Sequence, residues 1–159
     1  MRIGFVLVLA VLVSVPSPIS AADCVGLEWP VEGAVVAGFA PVGRYGGHWG
    51  VDLAVPEAST VRAAGPGVVS FSGEVVGSVA VTVDHGGGLK TTVSSVGERL
   101  VVAGTPVVAG QPLARSGVHD GRPSVHVSAR IDGRYVDPLP LLGCAAIRPA
   151  GAVRLVPLP

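Results

Sequence analysis

Charge is scarce in this chain. Asp, Glu, Lys and Arg together make up 14% of its 159 residues, and the formal net charge is zero. With no basic patch to neutralise phosphates, the composition argues against a nucleic-acid partner. Lysine occurs once, at Lys90. It lacks the flanking apolar hairpin-tip motif of a lipoyl- or biotin-carrier domain, which removes that class. Aromatic residues account for 4% of the chain, and the two tryptophans are Trp29 and Trp49. No stretch after the N-terminal apolar run carries apolar residues at helical spacing, so helices are not expected to build the core.

What the chain has instead is glycine and proline, 23 and 14 residues, punctuating short valine-rich runs. That pattern predicts an all-β domain. The expected strands are 35–39, 60–64, 67–72, 79–84, 90–96, 106–108 and 125–131 continuing to Tyr135. Asp132-Gly133 reads as a two-residue hairpin turn in which glycine accepts positive φ. Gly86-Gly87-Gly88 reads as another turn, and no helix follows it to make a phosphate cradle. Residues 101–106 and 107–112 form a near-exact repeat, Val-Val-Ala-Gly-Thr-Pro and Val-Val-Ala-Gly-Gln-Pro. Two copies are too few for a solenoid, so they are read as a pair of short turn steps.

Arg2, the apolar run from Ile3 to Val15 and the small residues up to Ala22 have the layout of a secretory signal peptide. The run is shorter than the ~20 apolar residues of a membrane-spanning helix. Asp23 stands where a lipoprotein signal needs a small residue, so no membrane anchor is expected after signal removal. The expected organisation is a signal over 1–22, one domain over 23–144 and a disordered Pro/Ala-rich tail over 145–159. The cysteines, Cys24 and Cys144, flank the domain, and an even count in an exported protein reads as a disulfide.

The chemistry-bearing residues lie at three places: Gly47-His48-Trp49-Gly50-Val51-Asp52, Asp84-His85-Gly86, and Ser124-Val125-His126 before Asp137-Pro138. On a straight strand His48 and Asp52 would stand ~13 Å apart at ~3.3 Å per residue. A shared metal therefore requires a bend, which Gly46, Gly47 and Gly50 permit. Two histidines and one carboxylate form a ligand set for catalytic zinc, in which a fourth position stays open for water. Trp49, between His48 and Gly50, is a candidate to line a groove, and Trp29 is expected at the edge of the core.

These motifs, in this order, resemble the zinc site of the lysostaphin-type (LytM-like) metallopeptidases, which cut peptides of bacterial peptidoglycan. The likeness runs from about Trp29 to Leu142 and implies an antiparallel sheet groove, barrel-sandwich-like, at the cell wall. It implies one Zn2+ on His48, Asp52 and His126. It also shows a departure: the positions of the family's two assisting histidines fall on Ser95 and Ser124. Serine has no protonation change near neutral pH and cannot replace imidazole in proton handling, a loss of ~10²–10⁴ in rate. No catalytic residue is therefore secure from the sequence. His119 is read as an exposed loop histidine, with a swing into the cleft as a substitute base the alternative. His85 is read as structural. Ser94 and Ser95 as nucleophiles lack a neighbouring His-Asp relay in sequence.

Two functional expectations follow. One is a zinc metalloendopeptidase on peptidoglycan peptides, impaired by the two serines. The other is a non-catalytic module that binds peptidoglycan or regulates a cell-wall protein partner.

Overall fold

A computed structural model describes residues 26–44 and 46–143. The expected signal, both cysteines and the tail over 145–159 lie outside the described residues. Thirteen strands are present among those described: β1 (Ala34–Ala37), β2 (Ala40–Val42), β3 (Gly46–His48), β4 (Val51–Ala54), β5 (Thr60–Arg62), β6 (Gly67–Val75), β7 (Ser78–Gly86), β8 (Leu89–Ser94), β9 (Val96–Arg99), β10 (Pro106–Val107), β11 (Pro112–His119), β12 (Arg122–Ile131) and β13 (Arg134–Val136). A single 3-10 turn, Leu139–Leu141, follows. The fold is all-β, as the sequence predicts.

The main sheet runs β1-β4-β12-β8-β7-β6-β10, antiparallel at every step. β11 and β13 also pair with β12, and β5 and β9 pair with β11. A separate ribbon joins β2 to β3. The period-two alternation of strands then sorts side chains to two faces. On β12, Val125, Val127 and Ala129 are buried in the core, with Val51 and Leu53 of β4, Val93 of β8, and Val81 and Val83 of β7. Fully burying each such valine or leucine contributes about 1.5–3 kcal/mol. The opposite face of the same strands is polar: His126 pairs with Ser94, Ser128 with Thr92 and Arg130 with Lys90. One strand further, Ala80, Thr82 and Asp84 continue those three rows. That face is a groove floor.

Several hairpin turns have the positive φ at both central residues that a type I′ turn demands. They are Val76-Gly77 (48° and 76°), Gly87-Gly88 (57° and 81°), Asp120-Gly121 (48° and 74°) and Asp132-Gly133 (50° and 79°). The last matches expectation. Asp120-Gly121 closes β11 against β12, and the sequence reading had no strand over Pro112–His119. The repeat resolves into two equivalent turns, with Thr105 N–H donating to Val102 O and Gln111 N–H to Val108 O. The expected strand over 90–96 is split, because Ser95 adopts φ 60° between β8 and β9.

The described ends meet. Leu27 and Leu142 form a parallel bridge, and Gly143 N–H donates to Leu27 O at 2.9 Å.

Candidate metal centre

Asp52 and His126 are cross-strand partners on β4 and β12. Side chains directly opposite on one face of an antiparallel pair stand close enough to touch, and here Asp52 Oδ1 lies 2.8 Å from His126 Nδ1. His48 reaches the same point from β3 after the chain bends at Trp49 and Gly50. Its Nε2 is 3.1 Å from Asp52 Oδ1 and 3.0 Å from His126 Nδ1. Gly50 is dictated by proximity: a Cβ there would stand 2.4 Å from Val127 O and 2.6 Å from His126 Nε2. Gly47, at φ 79°, packs as closely against β2, 2.3 Å from Ala40 O.

Hydrogen bonding decides the chemistry of this cluster. His48 Nδ1 lies 2.7 Å from Gly38 O. A carbonyl only accepts, so Nδ1 carries the hydrogen and Nε2 presents a lone pair to the cluster. Burial pushes the His126 imidazole below the usual histidine range, against an upward pull from Asp52. Burial thus favours a neutral His126, and two imidazoles and a carboxylate converge as a donor set that suits a cation. Donors around a tetrahedral zinc with bonds of ~2.0–2.2 Å stand ~3.3 Å apart, close to the spacing of these three atoms. The residues fit zinc, and an outer hydrogen bond of the Gly38 kind is what orients a metal-ligating histidine.

The structure adds a residue. His119 is not a solvent-directed loop histidine: it ends β11, and the tight Asp120-Gly121 turn directs it to the cluster. His48, Asp52, His119 and His126 each offer a ligand atom within 4.8 Å of the others. His119 Nδ1 is 2.8 Å from Ser95 Oγ, while its Nε2 is 3.8 Å from Asp52 Oδ1. Ser95, His119 and Asp52 thus follow one another as hydroxyl, imidazole and carboxylate. They do not form a nucleophilic relay, because Ser95 is only 8% exposed and 3.8 Å exceeds hydrogen-bond reach. Ser124 shares the groove face with His126, is buried, and donates its hydroxyl to Arg122 O at 3.1 Å. His85 sits elsewhere, with Nδ1 donating to Pro66 O at 2.7 Å and Nε2 at 2.8 Å from Thr91 Oγ1.

Cavities flank the cluster on both sides. One of about 290 Å³ runs over the polar floor and includes Trp49, Ser94, His126, Arg130 and Tyr135. Trp49 packs against Tyr135 with ring centroids 5.7 Å apart. The other, about 320 Å³, is lined by Val36, Asp52, His119, Arg122 and Ser124 among others. His126 borders the first cavity, and Asp52 and His119 border the second.

The family model described as Peptidase family M23 matches residues 46–138, more than half of the chain, and spans every residue of the cluster. The chain belongs to peptidase family M23. An uncharacterized protein of Mycobacterium bovis is 36% identical over 141 residues, covering 80% of this chain and 55% of that protein. The chain therefore spans about half the length of these curated relatives. The murein hydrolase activator EnvC of Escherichia coli is 32% identical over 119 residues, covering 72% of this chain and 28% of EnvC. The antimicrobial peptidase lysostaphin from Staphylococcus simulans shares the fold, with a TM-score of 0.66 at 24% identity, covering 82% of this chain and 58% of lysostaphin. M23 peptidases are zinc-dependent, in keeping with the donor set. Among the described residues no helix is long and apolar enough to cross a membrane.

Proposed function

We propose that this M23 domain is an exported zinc-dependent hydrolase that cleaves peptide bonds of peptidoglycan at the cell wall. The observation that carries the reading is the convergence of His48 Nε2, Asp52 Oδ1 and His126 Nδ1 at the junction of two cavities. His48, Asp52 and His126 would hold the zinc. Zinc bound there supplies a Lewis acid and a water with pKa near ~7. The chain's own residues do the rest. The β7, β8 and β12 face offers Ser94, Thr92 and Ser128 to a peptide backbone, and Trp49 with Tyr135 forms a wall against its side chains. The 1–22 segment would direct export, and Cys24 with Cys144 would tie the ends of the domain.

A second reading has an observation of its own. A related protein is a murein hydrolase activator, and by the sequence resemblance Ser95 and Ser124 would occupy the positions of the family's assisting histidines. On that reading the groove binds a peptidoglycan peptide or a cell-wall protein partner without cutting it.

Digestion of purified peptidoglycan by the zinc-loaded domain, with and without a chelator, separates the two. New amine and carboxyl ends that vanish with chelator support the hydrolase. Zinc-dependent binding without cleavage supports the module.

A further inference from the structure

Cleaving an amide demands more than a metal, because the leaving nitrogen departs as an amine only if a proton reaches it. With zinc bound, the three converging donors would be committed to the metal and could not deliver that proton. Among the titratable side chains that line the flanking cavities, His119 has the right placement. It is 28% exposed, so it meets both cleft and solvent. Its Nε2 lies 3.8 Å from Asp52 Oδ1, whereas the three donors stand 2.8 to 3.1 Å from one another. That offset sets His119 one step outside the three closely spaced donors and next to Asp52. Asp120 Oδ2, 3.9 Å from the same nitrogen, is 90% exposed and does not hold the ring.

Ser95 holds it. The Oγ to Nδ1 contact of 2.8 Å comes from a buried residue fixed by its own backbone. Ser95 N–H donates to Ser78 Oγ at 3.2 Å, and Ser95 O accepts from Gly117 N–H at 3.2 Å. Its φ of 60° breaks β8 from β9 and turns the hydroxyl toward the β11 hairpin. A non-glycine residue in that conformation is uncommon, and such backbone is found preferentially at functional sites.

We propose that His119 is the catalytic acid–base residue of this cleft and Ser95 the residue that positions it, an inference that rests on the hydrolase reading above. Nδ1 carries a hydrogen and donates it to Ser95 Oγ, leaving the Nε2 lone pair facing the cleft. Nε2 takes one proton from the attacking water as the water oxygen bonds to the carbonyl carbon. The carbon–nitrogen bond then breaks, and Nε2 returns that proton to the departing amine. The water's second hydrogen remains with the new carboxyl group, so one water is consumed and His119 is restored.

The test compares wild type, His119→Ala and Ser95→Gly as zinc-loaded full chains. Glycine is at ease at φ 60°, so Ser95→Gly removes the hydroxyl without backbone strain. His119→Ala is expected to keep one zinc per chain by metal analysis while kcat falls about 10²- to 10⁴-fold, with partial rescue by added imidazole. Ser95→Gly is expected to lower kcat about 10- to 100-fold, the scale of lost outer hydrogen bonds, with KM and zinc content unchanged. The His119 ring nitrogens, read by 15N NMR in the zinc-loaded chain, should change their tautomer signature in that variant. Loss of zinc from His119→Ala would make the residue a ligand and overturn the proposal. So would wild-type hydrolysis left intact by His119→Ala, with the hydrolase reading still standing. A zinc-loaded wild type that hydrolyses nothing overturns both.

Discussion

Asp52 and His126 face each other directly across β4 and β12, with Oδ1 2.8 Å from Nδ1. The backbone register of two core strands therefore fixes two of the three converging donors, and only His48 depends on a bend. Zinc binding should accordingly be a property of the folded sheet. The purified domain is expected to bind about one zinc, and Asp52→Ala or His126→Ala to lose it. His85→Ala, which removes a side chain bonded to Pro66 and Thr91, should retain it. Metal binding requires unprotonated nitrogens, and burial holds His126 below the ordinary 6.5. Zinc should therefore be lost as pH falls, with burial resisting protonation at His126. Metal retention by both ligand variants would sink the assignment.

Much of this was legible in the residues. Valine alternation marks β7 and β12, and Asp132-Gly133 marks the β12–β13 hairpin. β11 escaped because Pro112, Arg115, Ser116 and Gly117 interrupt any alternation, and because it divides its pairing among β5, β9 and β12 with register shifts. Missing β11 hid the role of Asp120-Gly121, the same turn dipeptide that was recognised at Asp132-Gly133. His119 was misplaced as a consequence. Its contact with Ser95 spans 24 residues, and that of His48 with His126 spans 78. No local pattern encodes such distances.

Gly50 tests how tightly the bend is built. Its missing Cβ would overlap both Val127 O and His126 Nε2, and neither the β12 backbone nor a histidine packed against it yields easily. Gly50→Ala should cost about 1–3 kcal/mol by overpacking and weaken zinc binding, measured by denaturant unfolding and metal titration. Gly38→Ala, where a Cβ meets nothing within 4 Å, is the control and should be nearly silent. Equal behaviour of the two variants would contradict the crowding argument.

The cysteines give a separate expectation. Leu27 and Leu142 are bridged, and Cys24 and Cys144 lie three and two residues beyond them. A chain spans at most ~3.3–3.6 Å per residue, so linkers of three and two residues from this bridge are compatible with the expected disulfide. Non-reducing mass analysis should show no free thiol, and reduction should lower Tm, since closing so long a loop contributes up to about 4–5 kcal/mol in the chain-entropy model. Quantitative thiol labelling without reductant would overturn the bridge.

Ser124→His weighs the two accounts of proton handling against each other. Ser124 lines the same cavity as Asp52 and His119, and its hydroxyl serves only to cap Arg122 O. If the cleft lacks an acid–base group, an added imidazole there should raise peptidoglycan hydrolysis by about 10²- to 10⁴-fold. If His119 already fills the role, two imidazoles compete for one position beside the donors. The expected change is then less than tenfold in either direction, with zinc content unchanged. Ser124→His in the His119→Ala background completes the comparison. Recovery of rate there, with none in the wild-type background, is the outcome expected when one group substitutes for the other. A large gain from Ser124→His alone would instead restore the view that the two serines leave this cleft catalytically weak.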